Sequence, residues 1–200
     1  MNVVALTAGR AVALGLTLAA PIGPMAVLLM RRSLVEGWAA GLVCGAGIAT
    51  GDALYAALAA AGIAGVSAFL AAHAIAVHLL AGAIMIAIGA RMLFAPGAEP
   101  KSSAANGRYF ETVFLTLTNP MTILTYAAAF NLLAPVGSFD PRLAVVSVAG
   151  VFAGSMLWWI GLGFAVSRMR HVIAGSARLA IDRVAGVFLI LFGARTAVTR

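Results

Sequence analysis

The sequence predicts an all-α integral membrane protein with six transmembrane helices, arranged as two inverted three-helix repeats in which helices 1 and 4 are interrupted by proline. Of the 200 residues, 63% are apolar and only 10% are charged, whereas soluble domains carry about 25% charged residues. Several apolar runs reach about 20 residues, the length at which a helix spans a bilayer. Backbone groups in hydrocarbon must bond internally, so these runs are expected to be helical.

The first predicted span extends from Val3 to Met30 and contains a single charge, Arg10. Arg31 and Arg32 follow it, which is the reverse of the charge order in a secretory signal, so the span is expected to be retained. The other spans are expected within 37–90, which is long enough for two, and within 112–136, 143–167 and 179–199. They define a first repeat at 1–94, a polar cytoplasmic linker at 95–110 and a second repeat at 111–200.

The two halves share short sequence matches at nearly constant offsets of 104, 103 and 99 residues. Because each repeat has an odd number of spans, the halves must face in opposite directions, an architecture typical of transporters with a site near the bilayer midplane. The matches are Ala81-Gly82 and Gly89-Ala90-Arg91 with Ala185-Gly186 and Gly193-Ala194-Arg195; Gly47, Gly51-Asp52 and Leu54-Tyr55 with Gly150, Gly154-Ser155 and Leu157-Trp158; and Thr17-Leu18 and Pro21 with Thr116-Leu117 and Pro120.

The net charge of +7 comes from basic residues that lie between the apolar runs. This distribution favours orientation signals and contacts with anionic lipids over nucleic-acid binding. With the amino terminus outside, nine Lys and Arg residues fall inside and four outside, so both termini are expected to be periplasmic. The inside set is Arg31, Arg32, Arg91, Lys101, Arg108, Arg168, Arg170, Arg178 and Arg183, and the outside set is Arg10, Arg142, Arg195 and Arg200.

Two proline motifs interrupt predicted spans in corresponding places of the two halves. Pro21 and Pro24 flank Gly23 in span 1, and Asn119 precedes Pro120 early in span 4. Proline removes a helix hydrogen bond and clashes with the preceding turn, and irregular backbone at membrane depth survives where it is buried in protein or lines a wet cavity. The motifs therefore predict either a substrate site with free backbone groups or structural kinks.

Asp52 is the single carboxylate deep in an apolar run. A buried carboxylate in a membrane is costly and is typical of proton or cation pathways, although a structural hydrogen bond to a neighbouring helix is the alternative. Tyr55 lies one turn away on the same face and is expected to donate to Asp52. Ser155 and Trp158 occupy the matching positions of the second half and are candidates to line the path or to pack.

The pattern resembles the LysE/RhtB family of amino-acid exporters over nearly the whole chain, with Met25 where many members have asparagine. The resemblance implies six helices in the bacterial inner membrane, and efflux of amino acids or related small metabolites by proton exchange, with no catalytic activity and no cofactor. It rests on Pro21-Ile22-Gly23-Pro24, Arg32-Ser33-Leu34, Gly37, Gly41, Gly47 to Asp52, Gly82, Gly89, Asn119-Pro120, Arg183, Gly186 and Gly193.

Three alternatives differ in the side chains that they require. A cation or heavy-metal exporter needs several carboxylates, thiols or imidazoles within the membrane, and the chain offers Asp52. A membrane thiol oxidoreductase needs two cysteines, and the chain has Cys44 alone. A membrane assembly factor would need none of these groups. The expected partners are a small-molecule substrate, membrane lipids and, as an option, a second copy in a homodimer, with no metal and no nucleic acid.

Overall fold

The structure is a computed structural model that describes residues 3–21, 23–60, 74–94, 105–119, 122, 125–126, 140–169 and 175–198. Within these ranges the ordered elements are all helices, which confirms the predicted all-helical class. Seven helices longer than one turn lie in the described part of the chain. They are α1 (Val3–Ala19), α2 (Pro24–Val35), α3 (Trp38–Ala60), α4 (Ala74–Phe94), α5 (Ala105–Thr118), α6 (Pro141–Arg168) and α7 (Gly175–Val198).

Two of these helices, α3 and α6, are each long and apolar enough to cross a membrane. Together α1 and α2 make a third candidate span, because they pass the same test as a pair but meet at an angle of 82°. In α4, the segment Gly82–Phe94 is apolar but shorter. This composition fits a multi-pass membrane protein.

The boundary between α1 and α2 falls inside the predicted first span. Helix α1 ends at Ala19 and α2 begins at Pro24, with Gly23 as the residue before the helix. A proline is well accommodated at the first helical position because its missing N–H would have no helical acceptor there. The predicted single run from Val3 to Met30 is thus two helices, and the second continues past it to Val35.

Helix α5 begins at Ala105, inside the stretch 95–110 that was predicted to be a polar linker. Its first residues, Ala105 to Gly107, are exposed, and the polar residues that follow contact neighbouring elements. Arg108 pairs with Glu36 at 2.9 Å, and the Tyr109 hydroxyl donates to Thr50 Oγ1 on α3 at 2.9 Å. The sequence between α4 and α5, and the predicted break between spans 2 and 3, lie outside the described residues.

The helices pack in a pattern that links the two halves of the chain. Helix α4 packs along α7, α1 packs along α6, and α3 packs against both α5 and α6. The core beneath the α2 helix is apolar and contains Leu29, Cys44, Ile48 and Trp159 among its buried residues. Helices α3 and α6 are therefore central, and they carry Asp52 and Ser155.

Glycine permits the close contact between α4 and α7. A methyl group at Gly82 would lie 2.6 Å from the Gly193 carbonyl oxygen, and one at Gly193 would lie 2.7 Å from the Gly82 carbonyl oxygen. Gly89 and Gly186 face each other in the same reciprocal way, at 2.6 and 2.7 Å. Any larger residue at these positions would push α4 and α7 apart, as expected where small residues let membrane helices approach closely.

Candidate functional site

A cavity of about 50 Å³ lies where the α1–α2 break meets α3 and the residues that follow α5. It brings together residues from both halves of the chain, including both helix-breaking motifs and the buried carboxylate. Its lining comprises Leu18, Ala19, Pro21, Gly23, Met25, Ala26, Ile48, Asp52, Asn119, Thr122, Thr125, Tyr126 and Trp159.

Asp52 carries the carboxyl group among the described lining residues of this cavity, and it is only 5% exposed. The Ser155 hydroxyl on α6 donates to Asp52 Oδ2 at 2.6 Å, and the Trp159 indole N–H donates to Ser155 Oγ at 3.1 Å. This chain of donors orients the carboxylate without placing a positive charge beside it. Among the lining residues that the structure describes, there is no Lys, Arg or His.

Tyr126 is a cavity residue that sequence reasoning missed. It is 4% exposed, and its hydroxyl faces Asp52 but makes no hydrogen bond to any described group. Its ring stacks on Tyr55, with centroids 5.5 Å apart and an angle of 19° between the planes. The sequence pattern that could have indicated Tyr126 is its spacing from Thr122 and Thr125. Residues three and four apart share one face of a helix, so Thr122 would place Thr125 and Tyr126 on the same polar face.

Tyr55 does not donate to Asp52, contrary to the prediction from the sequence. Its hydroxyl donates to the Leu117 carbonyl oxygen at 2.6 Å instead. Leu117 lies in the last turn of α5, where carbonyl groups lack helical donors, so it offers the tyrosine a strong acceptor. Tyr55 thus joins α3 to the end of α5 and supports the ring of Tyr126.

Of the other predicted site residues, the structure places Pro21, Gly23 and Asn119 in the cavity wall beside Asp52. Pro24 starts α2 and lines a separate small apolar space with Met25 and Leu28. Ser155 is fully buried behind Asp52, as described above. Pro120 lies outside the described residues.

Trp158 is not among the described lining residues of the cavity, and the neighbouring Trp159 is. Trp158 instead packs against the apolar core under α2. The repeat match paired Trp158 with Tyr55, but adjacent residues on a helix point about 100° apart, so a shift of one position changes the face that is presented. Trp159 also holds Ser155, which makes it the tryptophan of this site.

A second polar cluster lies at the other end of α2 and consists of three ion pairs. Arg31 and Arg32 were expected to contact headgroups, but they are 8% and 5% exposed. Arg31 Nε lies 2.7 Å from Asp182 Oδ1 on α7, so Arg31 forms an ion pair inside the protein. The other two pairs are Arg32 with Glu111 at 2.6 Å and Arg108 with Glu36 at 2.9 Å.

Comparison with known proteins places the chain among transporters. The family described as LysE type translocator matches residues 16–200. A curated relative from Bacillus subtilis (strain 168), named "Putative amino acid efflux protein YcgF", is 24% identical over 192 residues, which cover 91% of this chain and 90% of the relative. No solved structure matches the chain.

Proposed function

Because the chain belongs to the LysE type translocator family, it is a membrane transporter, and we propose that it exports amino acids or related small metabolites by proton antiport. The relative described as an amino acid efflux protein supports this substrate class and direction. The match over nearly the whole chain also supports a transporter rather than an enzyme.

The observation that carries the proton step is the setting of Asp52. The carboxylate lies in a cavity between the two halves of the chain, is oriented by Ser155, and faces a lining without a basic side chain among the described residues. A carboxylate in such a place is stable when neutral and is ionised when water or a substrate cation reaches it. Alternating access would supply these two environments in turn, so that Asp52 takes up a proton on one side and releases it on the other.

Helix packing supports the proposed inverted repeat. The proposed repeat pairs α1 with α5, α3 with α6, and α4 with α7. A two-fold rotation that exchanges the members of each pair converts the packing of α1 against α6 into the packing of α5 against α3, and it maps the packing of α4 against α7 onto itself. At the residue level, Gly82 and Gly89 match Gly186 and Gly193 in the repeat, and the same four residues form the reciprocal contacts. Inverted repeats of this kind place the substrate at their interface.

Asp52 and Ser155 are matching positions in the two repeats and are hydrogen-bonded to each other. Two equivalent residues can touch only near the axis that exchanges them, so this bond would mark the pseudo-two-fold axis. The cavity beside it would then lie at the centre of the transporter, between the two repeats.

We further propose that the protein resides in the bacterial inner membrane with both termini in the periplasm. The nine-to-four excess of Lys and Arg on the predicted inside supports this orientation. A carboxyl-terminal reporter that is active only in the cytoplasm should stay silent, and one that is active only in the periplasm should give signal. The opposite pair of results would reverse the orientation.

The function is tested by profiling metabolites in the medium of cells that express wild-type protein or the Asp52→Asn variant at equal membrane levels. We expect one or more amino acids to accumulate with the wild type only. Reconstituted vesicles then test coupling, since an imposed pH gradient should drive release of the same solute. Equal profiles for wild type, variant and empty cells would contradict the export function.

For the alternative of a cation or heavy-metal exporter, the described residues contain no group of three His, Cys, Asp or Glu side chains that could hold a metal ion. The same vesicles loaded with divalent cations separate the two functions. Amino-acid export predicts that the gradient releases the amino acid and leaves the cation inside.

A further inference from the structure

We infer that the cavity recognises its substrate as a zwitterion, with the amino terminus of α2 as the carboxylate subsite and with Asp52 and Tyr126 as the ammonium subsite. This inference rests on the proposed export of amino acids and specifies how one is selected. The class that it predicts is a small α-amino acid with a neutral side chain.

The carboxylate subsite follows from how α2 begins. The first amides of a helix have no helical acceptor and carry a partial positive charge. At this end Gly23 provides no side-chain cap and Pro24 has no N–H, so the amides of Met25 and Ala26 are the first that α2 can offer, and neither has a side-chain acceptor among the described residues. Both residues line the cavity, and the next amide, that of Val27, already donates to the Gly23 carbonyl oxygen at 3.1 Å.

The ammonium subsite is indicated independently by Tyr126. Its hydroxyl lies in the cavity wall, is buried, and makes no hydrogen bond to any described group. A buried polar group without a partner is costly and calls for a ligand or water. An ammonium group bound to Asp52 has three N–H donors, so it can donate to the carboxylate and to the Tyr126 hydroxyl oxygen together.

Charge and volume narrow the substrate class. In the protein, the Asp52 carboxylate balances the ammonium group of the substrate, and the amino terminus of α2 balances its carboxylate. An acidic or basic side chain on the substrate would therefore find no counter-charge among the described lining residues. A cavity of about 50 Å³ has room for on the order of four water molecules. That space suits alanine or glycine better than a long or aromatic side chain.

The inference is tested by calorimetric binding of three matched solutes to the purified full-length protein in lipid nanodiscs. Alanine carries both charged groups, ethylamine lacks the carboxylate and propionate lacks the ammonium. We expect ethylamine and propionate each to bind about tenfold or more weakly than alanine, as the loss of hydrogen bonds to a charged group implies. Equal binding of alanine and ethylamine would overturn the carboxylate subsite.

A substitution at Gly23 tests the helix end directly. Gly23 has φ −122, and a side chain there would meet nothing within 4 Å, so the backbone and the space accept a larger residue. Asparagine is a strong helix cap whose side chain would bond the free amides. We expect Gly23→Asn to weaken alanine binding about tenfold and to leave ethylamine binding nearly constant.

Gly23→Ala is the matched control, because it adds bulk but no acceptor, and it should weaken alanine binding much less than Gly23→Asn. Equal losses in the two variants would overturn the subsite while leaving amino-acid export intact. Tyr126→Phe keeps the stacked ring and removes the hydroxyl, and it should weaken alanine and ethylamine equally. If the wild type binds no amino acid in nanodiscs and exports none in vesicles, the proposed function itself fails.

Discussion

Two buried carboxylates, Asp52 and Asp182, differ in the groups that hydrogen-bond to them. Both are almost fully buried, with exposures of 5% and 2%. Asp182 accepts from the Arg31 guanidinium at 2.7 and 3.4 Å, whereas Asp52 accepts from the Ser155 hydroxyl at 2.6 Å. Asp182 therefore has a guanidinium group as a partner, whereas Asp52 has a neutral hydroxyl donor. This difference is the basis for proposing Asp52, and not Asp182, as the group that binds a proton or a cation during transport.

The two ends of α2 lie in different surroundings. The amino-terminal end faces the cavity without a side-chain cap, and the carboxyl-terminal end carries ion pairs to α5 and α7. Burial alone therefore does not distinguish the carboxylate proposed for transport from one held in an ion pair. Among the described residues, no basic side chain lines the cavity around Asp52, whereas Arg31 contacts Asp182. Substitutions can test the effect of this difference.

The largest effect is expected for Asp52→Asn, which keeps the shape of the side chain and removes its titration. We expect the protein to remain folded in the membrane and gradient-driven efflux to be lost, as measured in reconstituted vesicles. If Asp52 only carries the proton, counterflow exchange of substrate survives, and if it also binds the ammonium group, as the inferred subsite requires, counterflow fails as well. Efflux at the wild-type rate with unchanged pH dependence would make Asp52 structural.

Asn119→Leu tests the second half of the cavity wall. Leucine cannot present hydrogen bonds to a polar solute, so we expect efflux to be abolished while the protein stays in the membrane. Asn119→Gln, which keeps the amide, should restore part of the activity. Undiminished efflux by the leucine variant would reduce the Asn119 motif to a structural kink.

Breaking the Arg31–Asp182 pair should affect stability rather than coupling. Arg31→Met removes the guanidinium group from the buried Asp182 carboxylate, and we expect a loss of about 3–5 kcal/mol in the free energy of unfolding, measured by thermal or denaturant unfolding in detergent. Adding Asp182→Leu should recover most of this loss, because the pair is then replaced by apolar contacts. A double variant no more stable than Arg31→Met would contradict this account.

The smallest effect is expected for Ser155→Ala, which removes the donor to Asp52. A hydrogen bond to a charged group contributes about 1.5–3 kcal/mol, so efflux should fall about tenfold or more and its pH dependence should shift. Ser167→Ala is the matched control on the same helix, because the Ser167 hydroxyl only donates to the Phe164 carbonyl oxygen within α6 at 2.9 Å. Similar efflux in the two variants would remove Ser155 from the mechanism.

The apolar runs and proline motifs allowed much of this site to be anticipated. A helix interrupted by Pro21 and Pro24 and a lone carboxylate at Asp52 are local signals, since each follows from the cost of burying irregular backbone or charge in hydrocarbon. Together with Asn119, Pro21 and Asp52 do line one cavity. Their roles in transport remain predictions for the experiments above.

The features that escaped prediction depend on tertiary packing. Arg31 and Asp182 are 151 residues apart, and no local pattern distinguishes an arginine that faces headgroups from one that pairs inside the protein. The face of a helix is equally hard to fix, as the exchange of Trp158 for Trp159 shows. Tyr126 was missed because a tyrosine in an apolar run has the same local pattern whether it packs or lines a cavity.

Under the proposed proton antiport, the unequal pair Asp52 and Ser155 would also set an energetic ceiling on transport. Of two positions that match in the repeats, only one can carry a proton, so exchange through this site would have a stoichiometry of one proton per cycle. Moving one elementary charge across 100 mV yields about 2.3 kcal/mol, which corresponds to a concentration ratio of about fifty. A transporter limited in this way relieves an intracellular excess of its substrate and stops well before the cell is depleted.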